Sequence, residues 1–379
     1  MLSSRFYPVM SAKNPRIALF ASFSGAGGVE RMLMNLVRGI ASQGIPLDLV
    51  LVRAASPHLG ELPDAVRIVR LRASHTLLAV PELVGYLRAE RPIALLAAKD
   101  RAGRAAVLAR VLAGTQTRLV LRLGTNLSRA MAERSTLARW LRYAPIRLLY
   151  PRLDQVIAVS QGVAEDTARI ARLPGRKITV IRNPVITPDL AEMAAAPCPH
   201  RWLEPGQPPV LIGAGRLQRQ KDFPTLLRAF AQVRAARDVR LIILGEGGAR
   251  RELLTLARSL GVADALSLPG FQPNPYAFLA RAAVFVLSSA WEGSPNVLTE
   301  AMALGVPVVS TNCPSGPAEL LEDGRYGPLV PVGDVGALAA GILTMLDSPT
   351  PAAVVQGAVA EYEQGRSARR YLQVLGLSV

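Results

Sequence analysis

Cysteine is almost missing from this chain: Cys198 and Cys313 are the only two in 379 residues, far apart and in unlike surroundings. They offer neither a disulfide framework nor the paired spacing of a zinc site, which fits a reducing compartment. Histidine is scarce too, and His58, His75 and His200 fall in loop-like stretches where solvated side chains are expected. Aromatics make up 5% of the residues, and no stacking platform or recognisable nucleic-acid-binding module is formed from them. Long apolar runs are absent. Residues 93–98 and 284–287 are far shorter than the roughly 20 residues of a spanning helix, and residues 1–14 lack the pattern of a secretory signal. The expected protein is soluble or peripheral to a membrane.

Acidic residues are short in one half only. The formal net charge is +16. Residues 1–195 carry 28 Lys plus Arg against 13 Asp plus Glu, a net of +15, whereas the remainder carries 16 against 15. Between residues 99 and 152 twelve basic side chains are set against Asp100 and Glu133 alone. Such a face attracts an acidic partner, nucleic acid or anionic lipid being the usual ones. Residues 127–150 interleave arginines with Trp140, Leu141, Tyr143, Leu148, Leu149 and Tyr150. That pattern suits a helix lying on anionic lipid with its arginines at headgroup level, or a core helix with a solvated arginine face.

Half of the residues are hydrophobic, and the length suffices for two domains with separate cores. Strand-like runs at 17–20, 47–52, 93–96, 118–122 and 155–159 alternate with helical stretches such as 29–43. A second series places strands at 210–213, 240–244, 265–268, 283–287 and 306–310, with helices at 223–236, 249–260, 275–281 and 295–304. This alternation predicts an α/β fold of two Rossmann-like, doubly wound parallel-sheet domains facing a cleft. The expected boundaries are 1–183, a Pro-rich linker at 184–208, 209–360, and a C-terminal helix at 361–379 long enough to cross back to the first domain.

Glu292-Gly-Ser-Pro-Asn-Val-Leu-Thr-Glu300 carries the most chemistry. Ser294 suits a helix N-cap and Pro295 the first helical position, with Gly305 as the stop. Amides near Asn296 and Val297 then lack intrahelical partners and point toward an anion, with a carboxylate on either side. Spacing alone leaves open a capped helix with one solvated glutamate. Upstream, Gly213-Ala-Gly-Arg-Leu-Gln-Arg-Gln-Lys-Asp222 follows a strand and sets Arg216 and Lys221 on a loop. Phe271 to Tyr276 follows a strand and reads equally as a frame for a nucleobase or as a plain loop, and Glu246, at another strand end, could approach the nucleotide. After the first strand, Ser24-Gly-Ala-Gly-Gly28 lacks the G-x-G-x-x-G spacing and a following ribose-binding acid, which argues against a nicotinamide dehydrogenase.

Together these segments closely resemble retaining glycosyltransferases of family 4, which have the two-Rossmann GT-B architecture. The resemblance is densest over 209–334, with thinner matches at Gly27-Gly-Val-Glu-Arg31 and Val156-Ile-Ala-Val-Ser160. It implies that the second domain binds the nucleotide-sugar and the first the acceptor. Arg216, Lys221 and Glu292 would be catalytic. Gly27, Gly28, Ser294, Pro295, Asn296, Val297, Leu298 and Glu300 would join those three at the donor, with Glu292 on the sugar and Glu300 on the ribose. Glu30, Arg31, Arg122, Thr125 and Asn126 would meet the acceptor. Many family members have a histidine after the strand at 118–122. Here the segment reads Arg122-Leu-Gly-Thr-Asn126, so no enzymic base is evident.

No Asp-x-Asp motif is present in the cleft segments, so no metal and no cofactor are expected. The implied reaction moves a sugar from a nucleotide-sugar, with UDP the expected nucleotide, to a lipid-linked or growing surface-glycan acceptor. The expected place is the cytoplasmic side, peripheral at the inner face of an anionic membrane, with no nucleic-acid partner. A nucleotide-sugar epimerase or phosphorylase of the same fold, or a basic nucleic-acid-binding protein, remains as an alternative.

Overall fold

A computed structural model describes residues 16–23, 27–54, 59–60, 62–128 and 135–377. Gly25, His58, the first fourteen residues and part of the basic 127–150 stretch lie outside the described residues. The first sheet contains β1 (Ile17–Phe23), β2 (Leu47–Ala54), β3 (Val66–Arg70), β4 (Ala94–Ala98), β5 (Arg118–Leu123), β6 (Gln155–Ala158) and β7 (Ile178–Val180). Its helices are α1 (Gly28–Ala41), α2 (Val80–Glu90), α3 (Asp100–Ala113), α4 (Thr136–Leu149) and α5 (Gln161–Ala171), and α6 (Leu190–Ala195) follows. The second sheet contains β8 (Val210–Ala214), β9 (Arg240–Leu244), β10 (Leu266–Gly270), β11 (Val284–Leu287), β12 (Val308–Thr311) and β13 (Leu329–Val330). Around it lie α7 (Phe223–Ala236), α8 (Arg250–Ser259), α9 (Tyr276–Leu279), α10 (Asn296–Ala303), α11 (Pro317–Leu320) and α12 (Val335–Asp347), followed by α13 (Ala352–Ala358) and α14 (Gln364–Leu375).

Every strand pairing is parallel, in the orders β3-β2-β1-β4-β5-β6-β7 and β10-β9-β8-β11-β12-β13. The central strands β4 and β8 are buried at all five positions, as sheets covered by helices on both faces require. Each sheet has an apolar core on either face. The edge strands β3, β7 and β13 lack a long apolar run and were not anticipated. β3 reads Val-Arg-Ile-Val-Arg and is only partly buried.

In each sheet the strand order reverses at one place, between β1 and β4 and between β8 and β11. A crevice opens beyond the carboxyl ends of strands at such a switch point. The loops leaving these four strands carry the glycine turn before α1, Lys99, Arg216 with Lys221, and Glu292.

The chain passes between the halves twice. Val185 and Ile186 N–H groups donate to the Tyr362 carbonyl at 2.9 and 3.0 Å, and Gln364 N–H donates to Ile186 O at 2.8 Å. Tyr371, Leu372 and Leu375 of α14 pack into the core of the first sheet with Leu36 and Ile40 of α1. Gln364 Nε2 also donates to Asn35 O at 2.9 Å. Residues 190–203, expected to be linker, include α6, whose Leu190 and Ala194 join the core of the second sheet. Their apolar side chains anchor the segment there.

Candidate active site

The loops after β8 and β11 are stitched together before any ligand is considered. Ser288 Oγ donates to Lys221 O at 2.7 Å, Ala290 N–H to Gln220 O at 2.8 Å, and Gln220 Nε2 to Trp291 O at 3.0 Å. Lys221 folds back over Gly215, which stands at φ 149°. A β-carbon there would come within 2.6 Å of Lys221 Cε, so the lysine's path needs glycine.

Lys221 Nζ donates to Glu292 Oε1 at 2.6 Å, and Ser289 Oγ donates to the same oxygen at 2.7 Å. Glu292 is 8% exposed, and its Oε2 makes no hydrogen bond among the described residues. One oxygen is therefore anchored while the other is free to accept from a hydroxyl. Arg216 is exposed one loop position beyond Gly215.

Helix α10 starts one residue later than expected. Pro295, not Ser294, is its N-cap and supplies no side-chain bond. The Ser294 hydroxyl is instead buried without a hydrogen-bond partner among the described residues. The first helical bonds run from Leu298 and Thr299 N–H to Pro295 O at 3.0 and 3.2 Å, so the Asn296 and Val297 amides precede them and are available to an anion. Leu298 is fully buried in the core, so its side chain does not line the donor site. Gly305 ends the helix at φ 75°.

Glu300, 7% exposed, faces the other half of the molecule. Tyr276 O–H donates to its Oε1 at 3.3 Å, and Arg31 of α1 lies 4.0 Å from that oxygen. Arg31 also sits over the Tyr276 ring, 5.7 Å from its centroid. Burial raises the Glu300 carboxyl above its ordinary range, against the lowering effects of Arg31, Tyr276 and Lys221. Burial works against the Arg31 guanidinium, but Glu300 and Tyr276 outweigh it and hold its pKa high. Arg31, expected at the acceptor, thus lies against Glu300 and Tyr276 of the second half.

Two other acceptor expectations change. Glu30 Oε2 accepts from Gly27 N–H at 2.9 Å, closing the first turn of α1, so part of its role is structural. Arg122 is 2% exposed and donates to Asn183 Oδ1 at 2.7 Å. Burial lowers its pKa, with Tyr371 opposing. Arg122 therefore holds Asn183 from within the core. Asn183 Nδ2 donates to Asn296 Oδ1 at 2.8 Å, and Asn296 Nδ2 reaches Gly28 O at 3.4 Å. This chain joins β5, the crossover, α10 and the start of α1. Thr125 is exposed. Asn126 Nδ2 contacts Ser315 Oγ of the second half at 2.9 Å.

Gly27 is the N-cap of α1, and no atom lies within 4 Å of a β-carbon placed at Gly28. Glu246 is held at the surface by Arg250 at 3.1 Å. His200, expected to be solvated, is partly buried and shares a 2.9 Å hydrogen bond with Ser267. Among the described residues no group of three or more His, Cys, Asp or Glu is placed to hold a metal. Sequence reasoning missed Tyr276 as a partner of Glu300, Asn183 and Lys99. Their positions at strand ends or crossovers were the available signal.

A model described as glycosyltransferase family 4 matches residues 26–188, and one described as glycosyl transferases group 1 matches residues 208–348. The Campylobacter jejuni N-acetylgalactosamine-N,N'-diacetylbacillosaminyl-diphospho-undecaprenol 4-alpha-N-acetylgalactosaminyltransferase is 29% identical over 88% of this chain and 90% of its own length. The lipopolysaccharide core biosynthesis glycosyltransferase LpsE of Rhizobium meliloti is 30% identical over 84% of this chain and 86% of its own. Anabaena HepE in complex with UDP and glucose superposes with a TM-score of 0.78 at 20% identity, covering 96% of this chain and 100% of that one. The apo lipopolysaccharide outer core galactosyltransferase WaaB gives 0.71 at 19%, covering 95% and 99%. With matches to both halves and near full-length relatives, this chain belongs to the family 4 glycosyltransferases of GT-B architecture.

Proposed function

We propose that the chain transfers a sugar from a UDP-sugar, with retention at the anomeric carbon, to a diphosphate-linked lipid acceptor in surface-glycan assembly. The observation that carries this reading is the arrangement at the second switch point. Glu292 offers one unpaired carboxylate oxygen, Lys221 and Arg216 offer positive charge, and Glu300 lies more than a turn inside α10. Glu292 would accept from sugar hydroxyls and Glu300 from the ribose. Arg216, Lys221 and the first amides of α10 would neutralise the departing diphosphate, a contribution that grows as the bond breaks.

No described histidine stands at the cleft, and a same-face displacement fits the groups present. The bond from the anomeric carbon to the UDP oxygen breaks, the acceptor oxygen bonds to that carbon on the same face, and the acceptor proton passes to the leaving phosphate. UDP leaves with the proton. The reading asks for no metal. The lipid-linked acceptor is supported by the named substrate of the Campylobacter relative, and UDP by its presence in the HepE structure.

The acceptor side is expected at an anionic membrane's inner face. No described helix is long and apolar enough to cross a membrane. On α4, however, Leu137, Trp140, Leu141 and Leu148 are 57–67% exposed, while Tyr143 and Ile146 face the core. Arg142 and Arg147 are partly exposed but are held by the protein, Arg142 by Asp100 at 2.7 Å and Arg147 by the Ile170 carbonyl at 3.1 Å. Such a face suits insertion at headgroup depth.

A screen of UDP-sugars with prenyl-diphosphate-linked acceptors tests the proposal. UDP release that requires both donor and acceptor supports it. Donor epimerisation without acceptor, phosphorolysis, or a covalent glycosyl-enzyme on a protein carboxylate would overturn it.

A further inference from the structure

The two sheets share one strand order around their switch points, so their crevices can be compared loop by loop. In the second half the loop after β8 holds Arg216 and Lys221, and the loop after β11 holds Glu292. The corresponding places in the first half are the glycine turn after β1 and the residue after β4, which is Lys99.

Lys99 stands at φ 77°, ψ 156°, a conformation that side chains with a β-carbon seldom adopt. Its N–H donates to Arg122 O at 3.0 Å and its carbonyl accepts from Gly103 N–H at 3.1 Å. The backbone is thus fixed at the end of a fully buried strand, while the residue stays open to solvent with its ammonium partly shielded by the protein. Burial lowers the ammonium pKa; Glu30 raises it, and Arg122 and Arg216 lower it further. Lys99 follows β4 and Arg216 follows β8, so both stand at the carboxyl ends of switch-point strands, one in each half. Lys221 is paired with Glu292, and Arg31 lies beside Glu300. Neither Lys99 nor Arg216 forms an ion pair among the described residues. Two such cations, one from each wall, are best satisfied by an anion between them.

We propose that Lys99 is the first half's ligand to a diphosphate, which it grips from the side opposite Arg216. This rests on the glycosyltransferase reading above. The same chemistry has two sources, the UDP that leaves the donor and the diphosphate that ties the acceptor to its lipid.

The test titrates wild type, Lys99→Gln and Lys99→Arg with UDP, uridine and farnesyl diphosphate. If UDP is the occupant, Lys99→Gln weakens UDP about tenfold, spares uridine, and Lys99→Arg retains most of the affinity. A matching loss for farnesyl diphosphate, with UDP unchanged, supports the inference and assigns the acceptor. Unchanged binding of both in a Lys99→Gln protein that melts like wild type overturns the inference alone. Failure of the wild type to bind either diphosphate overturns the underlying reading with it. Should Lys99→Gln fail to fold, acetic-anhydride labelling of the wild-type chain replaces it. Protection of Lys99 by UDP or by farnesyl diphosphate is expected, and equal labelling with and without each overturns the inference.

Discussion

Lys221 Nζ lies 2.6 Å from Glu292 Oε1, so the cation proposed for the leaving phosphate and the carboxylate proposed for the sugar form one ion pair before any substrate arrives. The lysine side chain is 16% exposed and the glutamate's 9%. Holding both groups in advance spares reorganisation during the reaction. It also means that neither residue can be changed without disturbing the other.

Lys221→Met is expected to lower kcat by about 10²–10³-fold, the loss typical when one preorganised charge-stabilising donor is removed. It also leaves Glu292 without its cation, at a cost of about 3 kcal/mol for a largely buried pair. Adding Glu292→Gln should recover much of that stability but none of the turnover. Thermal melts and UDP-release kinetics on the two single variants and the double variant separate the effects.

Glu300 is raised above its ordinary value of 4.5, with burial the largest cause. The folded state therefore holds the proton more tightly than the unfolded state. The associated stability is fully present below pH 4.5 and is lost as pH rises through the folded pKa. Glu300→Gln, which cannot ionise, should melt above wild type at neutral pH, and the gap should close in acid. UDP affinity should fall about tenfold in the same variant as the ribose loses a charged acceptor. Melting curves across pH and UDP titration check the two parts.

A β-carbon at Gly293 would overlap the Gly124 carbonyl oxygen, which belongs to the opposite half. Backbone cannot yield as a side-chain tip can, so Gly293→Ala should hold the halves apart. Turnover is expected to fall by about 10²-fold, while UDP binding changes much less. Small-angle scattering should show a larger radius of gyration than wild type. Full activity would show that this contact is not part of the working state.

Replacing Trp140 and Leu141 with serine removes two exposed apolar side chains from α4 without touching its buried face. Sedimentation with anionic vesicles should weaken by about tenfold or more, and binding to neutral vesicles should be weak throughout. UDP binding should not change. Equal sedimentation of variant and wild type would remove α4 from the membrane contact.

The sheet interiors were legible because β1, β4, β8 and β11 are apolar runs bounded by turns, and periodicity records burial. Lys221 and Glu292 were legible because each follows such a strand. Arg31 meeting Glu300, Arg122 holding Asn183, and Glu30 closing the first turn of α1 were not. The first depends on how the two halves meet, the second joins residues 61 positions apart in one half, and the third is a local turn whose Gly-x-x-Glu start lacks the Ser or Thr that marks a capping box. Ser294 misled because Ser-Pro resembles a capped helix start, whereas the helix begins one residue later and the hydroxyl is buried without capping it.

The paired crossings at Val185–Ile186 and Tyr362–Gln364 restrict how the molecule can move. A single covalent tether would let one half swing and twist freely against the other. Two passages of chain, paired in parallel and hydrogen-bonded to each other at 2.8–3.0 Å, behave like the knuckles of a door hinge. Swivel about the tether is suppressed, and one angular coordinate remains for admitting substrates. That angle carries the Arg31–Glu300 and Asn183–Asn296 contacts with it, so opening the door breaks them together.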